Sequence, residues 1–315
     1  MRPWSIVLSA TLLSGALLAS SAITGSAEER PHAVFVQGND PSGNVVLAYR
    51  RESSGALSYE ASYDTGGKGG RIPGSVADPL ASQGSLAFDP RHDLLIGVNA
   101  GSDSIYSFRV DGDTLERRQV LSSGGSFPVS IAVHDDLVYV LNAGGSGGVQ
   151  GYRIDGERLR PIDGSARSLG LTPVTGPTEF VNTPGQVGFT PDGDQLIVTT
   201  KANGSHIDVF GVRDDARLSD SPVQNVSATP VPFGFTFDAR GRLVVAEAGT
   251  SSVSTYVLRH NGTLSTIGSQ SDSQAALCWI TRDGQTFFGA NAGSGSVSAF
   301  RIENTGRPTL VGTTS

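Results

Sequence analysis

Asn99-Ala-Gly-Ser-Asp-Ser-Ile-Tyr-Ser-Phe108 decides the fold of this chain, because it returns. Two close copies are Asn142-Ala-Gly-Gly-Ser-Gly-Gly-Val-Gln-Gly-Tyr152 and Asn291-Ala-Gly-Ser-Gly-Ser-Val-Ser-Ala-Phe300. Three looser copies run from Asn39 to Tyr49, from Lys201 to Phe210 and from Glu247 to Tyr256. The closing aromatics, Tyr49, Phe108, Tyr152, Phe210, Tyr256 and Phe300, are 59, 44, 58, 46 and 44 residues apart. Gly/Pro-rich insertions at 66–82 and 169–184 account for the two long intervals. Six units of roughly 45 residues therefore underlie the chain.

Within the second unit, apolar and polar residues alternate over 85–88, 94–99, 104–110 and 115–121, which predicts four strands. Asp111-Gly112 closes the last of its hairpins. Asp155-Gly156, Asp192-Gly193, Asn261-Gly262 and Asp283-Gly284 are expected at the corresponding place in other units. Such pairs tolerate positive φ and close two-residue turns whose twist matches the flanking strands. The expected innermost strands are 84–88, 129–133, 186–189, 234–237 and 276–280. A four-stranded unit repeated at this period is a propeller blade, so the expected fold is an all-β propeller of four-stranded antiparallel blades. Composition agrees. Gly makes up 41 of 315 residues and charged residues only 17%, and no helical apolar period extends beyond two turns.

One count does not close. The first unit begins with its second strand, near Ala33, and the last ends in a fourth strand near Val311. Closed rings often complete one blade with strands from both termini, which removes an exposed edge. Here the first unit's inner strand has no donor downstream. Two explanations stay open: a six-bladed ring with an incomplete blade, or a C-terminal unit absent from this sequence.

Residues 1–27 read differently. Arg2, the apolar run Ile6 to Leu18 and the small residues ending at Ala27 have the order of a secretory signal peptide. The apolar core is too short to span a bilayer, which takes roughly 20 residues. A secreted protein, extracellular or periplasmic, is expected, with 28–315 as one propeller domain. Removing 27 of 315 residues leaves 288 and takes the formal net charge from −7 to −8, since Arg2 is lost. An acidic surface without basic clusters excludes nucleic acid as a partner class, and no later segment reads as a membrane span. A monomer is expected. Cys278, the single cysteine, lies in an apolar strand and reads as a buried thiol.

The mature sequence resembles secreted bacterial proteins of the lactonase-like propeller group, often labelled 3-carboxymuconate cyclase-like. The resemblance is carried by Leu80-Ala-Ser-Gln-Gly-Ser-Leu86, Thr183-Pro-Gly-Gln-Val187, Val198-Thr-Thr-Lys-Ala-Asn203, Pro232-Phe-Gly-Phe235, Ala246-Glu-Ala-Gly249 and Cys278-Trp279. Members of the group are similar to propeller-type 6-phosphogluconolactonase and to fungal muconate cycloisomerase, both seven-bladed. The resemblance thus implies a seven-bladed fold lacking its last blade. It also implies lactone hydrolysis or formation on a small organic acid. Fungal cyclases carry a His/Arg/Glu set in the channel, of which this sequence offers only a Glu.

Candidate residues come from irregularities in the repeat. The column Asn39, Asn99, Asn142, Lys201, Glu247, Asn291 replaces Asn by opposite charges in two adjacent units. Lys201 and Glu247 are expected to face each other, as an ion pair clasping two blades or as a catalytic pair, or else to stand apart as solvated charges. In the second case Glu247 is the base and Lys201 stabilises a developing oxyanion. Gln83, Gln186, Phe233 and Trp279 fall at or within the inner strands and are the candidate substrate-binding residues at the channel mouth. The five His are dispersed without metal-ligand spacing, so no metal and no cofactor are expected. The expected partner is a small molecule or lactone in the central channel. The alternative is a non-catalytic propeller binding a protein, glycan or small ligand.

Overall fold

The computed structural model describes residues 32–315; the expected signal peptide lies outside these residues. Six antiparallel sheets follow one another as blades. The first has three strands, β1 (His32–Gln37), β2 (Val45–Arg51) and β3 (Leu57–Asp64). It lacks an inner strand, as the sequence leads one to expect. The second comprises β4 (Leu86–Asp89), β5 (Leu94–Asn99), β6 (Ser104–Asp111) and β7 (Thr114–Ser122). The third comprises β8 (Pro128–His134), β9 (Leu137–Asn142), β10 (Gly148–Asp155) and β11 (Arg158–Pro161), with the two-residue β12 (Arg167–Ser168) beside β10. The fourth holds β13 (Gln186–Phe189), β14 (Gln195–Thr199), β15 (His206–Gly211) and β16 (Val223–Val226). The fifth holds β17 (Pro232–Phe237), β18 (Leu243–Glu247), β19 (Ser252–Leu258) and β20 (Leu264–Ser271). The sixth holds β21 (Leu277–Asp283), β22 (Thr286–Asn291), β23 (Ser296–Ile302) and β24 (Pro308–Thr314).

The aromatic anchors sit in the third strand of each blade, and all except Tyr49 are buried. The pairing of third and fourth strands slips by one residue at Ala48/Tyr49, Ser107/Phe108, Thr255/Tyr256 and Ala299/Phe300. A bulge at the anchor deepens the local twist and turns the ring toward the neighbouring blade. In the third blade the same point is where β10 changes partner from β12 to β11. The repeated aromatic is therefore also a repeated bend.

All five Asx-Gly glycines have positive φ, between 57° and 83°. Their placement corrects the expectation of one common position. Asp111, Asp155 and Asn261 lead the turn between third and fourth strands, whereas Asp192 and Asp283 lead the turn between first and second. Both turns lie at the same end of the antiparallel blades, so a similar sequence serves two hairpins.

Strands β5, β14 and β18 are buried along their whole length, packed on both faces by neighbouring sheets. In β22 burial alternates, and Phe288, Val297, Leu310 and Val311 of the sixth blade are exposed. Strand β2 alternates in the same way over its first residues, and Leu57 and Tyr59 of β3 are exposed. Each of these two sheets presents one face to solvent.

The insertions meet. Residues 66–82 and 169–184, the second carrying the short helix α1 (Glu179–Asn182), pack together at one end of the ring. Gly74 (φ 83°) lies so close to the second insertion that a Cβ there would sit 1.9 Å from the Pro177 carbonyl oxygen. No helix among the described residues is long and apolar enough to cross a membrane.

Candidate functional site

The segment entering β4 crosses the ring axis. Gln83 N–H donates to Gly185 O beside the fourth blade (3.0 Å), and Ser82 Oγ donates to Val129 O in the third (2.8 Å). The Gln83 side chain then reaches the fifth and sixth blades. Its Nε2 donates to Ile280 O (3.0 Å) and Phe235 O (3.4 Å), and its Oε1 accepts the Ile280 N–H (3.0 Å). Gly234 makes room for it, since a Cβ there would lie 2.2 Å from Gln83 Oε1. Gln186 does comparable work one blade earlier, its Oε1 accepting the Phe235 N–H at 2.6 Å. Gln83 spends both ends of its amide, and Gln186 its amide oxygen, on inner strands.

Phe233 and Trp279 stand edge to face, with ring centroids 5.7 Å apart, and Trp279 Nε1 donates to Ser82 O (2.8 Å). With Asp78, Ala81, Phe180 and Cys278 they line an open cavity of about 210 Å³ at the channel mouth. The four candidate binding residues are thus brought together around the axis. Phe233 and Trp279 wall the cavity; Gln83 and Gln186 hold its frame.

Lys201 lies behind this wall, fully buried, its Nζ 5.1 Å from the Phe233 ring centroid. It donates to Ala81 O (2.7 Å), Phe180 O (2.5 Å) and Thr183 Oγ1 (2.9 Å), tying both insertions together. Burial pulls its pKa down to about 7, with Asp78 acting in the opposite sense. Its three donors are already committed.

Glu247 is elsewhere, and the expected Lys201–Glu247 pair does not form. Glu247 is the last residue of β18, and its carboxylate turns into its own blade. Oε2 accepts from Ser254 Oγ (2.5 Å), Thr229 Oγ1 (2.5 Å) and Thr229 N–H (3.2 Å), and Oε1 from the Tyr256 hydroxyl. Burial raises its pKa, and the hydroxyl donors oppose the rise. Lys201 sits two residues beyond the end of β14, in a turn with φ 53°, and its side chain leaves in another direction. The extra residues of that turn separate two positions that sequence alignment makes equivalent.

Asp78 was missed by reasoning from the repeat. Among the described residues it is the only carboxylate lining the cavity, and its oxygens accept the N–H groups of Leu80 (3.0 Å) and Ser82 (2.9 Å). The signal available was the insertion itself, a loop longer than blade closure needs. Cys278 lines the same cavity with its thiol pushed up to about 11 by burial, as expected of an unreactive cysteine. Among the described residues no cluster of His, Cys, Asp and Glu could hold a metal ion.

A family model described as Lactonase, 7-bladed beta-propeller matches residues 43–278 and, in a second match, 195–315. The chain belongs to this family. No curated protein matches it. This lactonase-family propeller is similar in fold to a protein from Lactobacillus plantarum, with 14% identity and TM-score 0.69 over 89% of this chain and 81% of the other. It is also similar to a candidate 6-phosphogluconolactonase of Bacteroides uniformis, at 17% identity and TM-score 0.68 over 90% and 83% of the two chains. A periplasmic gluconolactonase of Pseudomonas aeruginosa gives 16% identity and TM-score 0.52, over 89% and 94%. The family description specifies seven blades; six sheets are present among the described residues.

Proposed function

We propose that this lactonase-family propeller is an exported, monomeric enzyme that opens a small lactone at its channel mouth. The observation that carries the reading is the cavity itself, where two aromatic side chains from adjacent inner strands face a single carboxylate, Asp78. The lactone ring packs on Phe233 and Trp279. Asp78 takes a proton from a water molecule as its oxygen attacks the carbonyl carbon. The tetrahedral intermediate collapses by breaking the ring C–O bond, and the proton passes from Asp78 to the departing alkoxide. One water is consumed and one hydroxy acid is released. Lys201 contributes positive potential from behind the wall. Ring closure of the hydroxy acid, the cyclase direction, is the same path reversed.

The test is a panel of aldonolactones and muconolactones, assayed with wild type and Asp78→Asn. Turnover that falls by about 10²-fold or more in the variant is expected for loss of a general base. No turnover of any member by wild type defeats the enzymatic reading. The second reading, a propeller that binds a small ligand without chemistry, is favoured by the commitment of the Trp279 and Lys201 donors to protein oxygens. It predicts quenching of Trp279 fluorescence without product.

A further inference from the structure

At the other end of the ring, a second cavity of about 190 Å³ opens between the fifth and sixth blades. It is built by the β17–β18, β21–β22 and β23–β24 turns, whereas the channel-mouth cavity uses the β22–β23 turn. Alternate turns of antiparallel sheets lie at opposite ends, so the two cavities do not communicate through a shared loop.

Three guanidinium groups, Arg240, Arg242 and Arg282, converge on it, with Phe287 and Ile302 among its lining. Arg242 is neutralised: its Nε meets buried Asp238 at 2.5 Å. Asp238 is itself spent, since its other oxygen accepts the N–H groups of Arg240 (2.8 Å) and Arg242 (2.9 Å). Neither Arg240 nor Arg282 forms an ion pair among the described residues, and their protein partners are neutral. Arg240 holds Asn304 O and Oδ1, both at 2.9 Å. Arg282 donates to Gly284 O (2.8 Å) and Phe237 O (3.2 Å) and stands 5.9 Å from the Phe287 ring centroid. Hydrogen bonds to carbonyl groups fix both side chains in place without cancelling their charge. Arg240 Nε and Arg282 Nη2 make no hydrogen bond to the described residues.

Two uncompensated, pre-positioned guanidinium groups therefore meet in one cleft on a chain of formal net charge −7. We infer that this cleft binds a small dianion, a phosphate monoester or a dicarboxylate. Guanidinium forks match such paired oxygens in geometry, and rigid positioning lowers the entropy lost on binding. The apolar lining suits the carbon portion of the ligand. Nearby Asp283 and Glu303 are exposed and make no ion pair with these arginines.

Calorimetric titration of the purified full chain with inorganic phosphate and with succinate, at constant ionic strength and against chloride, tests the inference. Saturable one-to-one binding is expected, weakened about tenfold or more in Arg240→Gln and Arg282→Gln and unchanged in Arg301→Gln. The tighter of phosphate and succinate identifies the source of the dianion. If Arg282→Gln misfolds, Arg240→Gln, whose side chain is exposed, decides. Heats indistinguishable from chloride, or equal affinity in wild type and Arg240→Gln, overturn the proposal.

Discussion

Gln83 and Ile280, 197 residues apart, are joined by two reciprocal hydrogen bonds of 3.0 Å, so that one side chain pairs with β21 as a short strand would. This contact fastens the second blade's entry segment to the sixth blade across the axis. Gln83→Ala leaves the Ile280 N–H and C=O groups without these partners, at a cost of about 2–3 kcal/mol. Gly234→Ala is expected to weaken the same contact, because its Cβ would displace Gln83 Oε1 and crowd Cys278 O, 2.9 Å away. Denaturant unfolding of both variants measures this; wild-type midpoints for both would show that the contact contributes nothing.

Lys201 makes stability depend on pH. Its folded pKa of about 7 lies below the unfolded value near 10.5, so between these values the unfolded chain binds the extra proton. Stability then rises with pH from about 7 to about 10.5, and below 7 the penalty of the buried charge is fully present. Lys201→Met is expected to flatten the slope over that window, by a few kcal/mol at most in total. Parallel slopes in the two proteins from pH 7 to 10 would contradict the assignment.

Glu247 is expected to be dispensable for lactone opening but not for folding. Glu247→Gln places an amide where sister blades carry Asn99, Asn142 and Asn291, and the surrounding hydroxyls can rotate to accept it, as Ser296 and Ser298 accept from Asn291. Glu247→Ala strands Thr229, Ser254 and Tyr256 and costs about 2–4 kcal/mol. Its folded pKa is raised, so the protonated form's advantage disappears as pH climbs through that value. Assay of lactone turnover and urea unfolding on both variants separates the roles. A large loss of turnover in a fully folded Glu247→Gln would return Glu247 to the chemistry.

Substrate charge offers a further check. The channel-mouth cavity has Asp78 at its edge and no arginine in its lining, and the Lys201 donors are committed to Ala81, Phe180 and Thr183. Neutral lactones are expected to be opened with kcat/KM at least about tenfold above their 6-phosphorylated counterparts, a difference of ~1.4 kcal/mol. Measuring both with Asp78→Asn tests the origin of the preference, since the variant lacks the repelling charge.

The two faces of the sixth blade should respond differently. Phe300 is fully buried, and Phe300→Ala is expected to cost about 3–5 kcal/mol. Val297, three residues earlier in β23, is 40% exposed, and Val297→Lys should change stability by no more than about 0.5 kcal/mol. Thermal unfolding of the pair reads the asymmetry directly.

Much of this was legible in the sequence because a repeat reports the same physics several times. Strands of the second blade fall within a residue of the alternation that predicts them, since each strand has one period to obey. The position of Phe233 and Trp279 in the cavity wall was legible from their place at inner strands, which topology alone sends to the axis. Lys201 and Glu247 misled for the converse reason. Equivalent columns predict equivalent backbone only while the turn lengths agree, and the turn after β14 does not agree with the one after β18. Asp78 stayed hidden because it lies in an insertion, where no sister copy exists for comparison.

The crossing of the axis by Ser82 and Gln83 has a kinetic corollary. With that segment stitched to four successive blades, the axial path is barred at Gln83, and a molecule bound beside Trp279 meets a backbone wall in that direction. Under the proposed lactone-opening reading, product departure and substrate arrival then share the side of that wall flanked by the two insertions, which Lys201 bolts together.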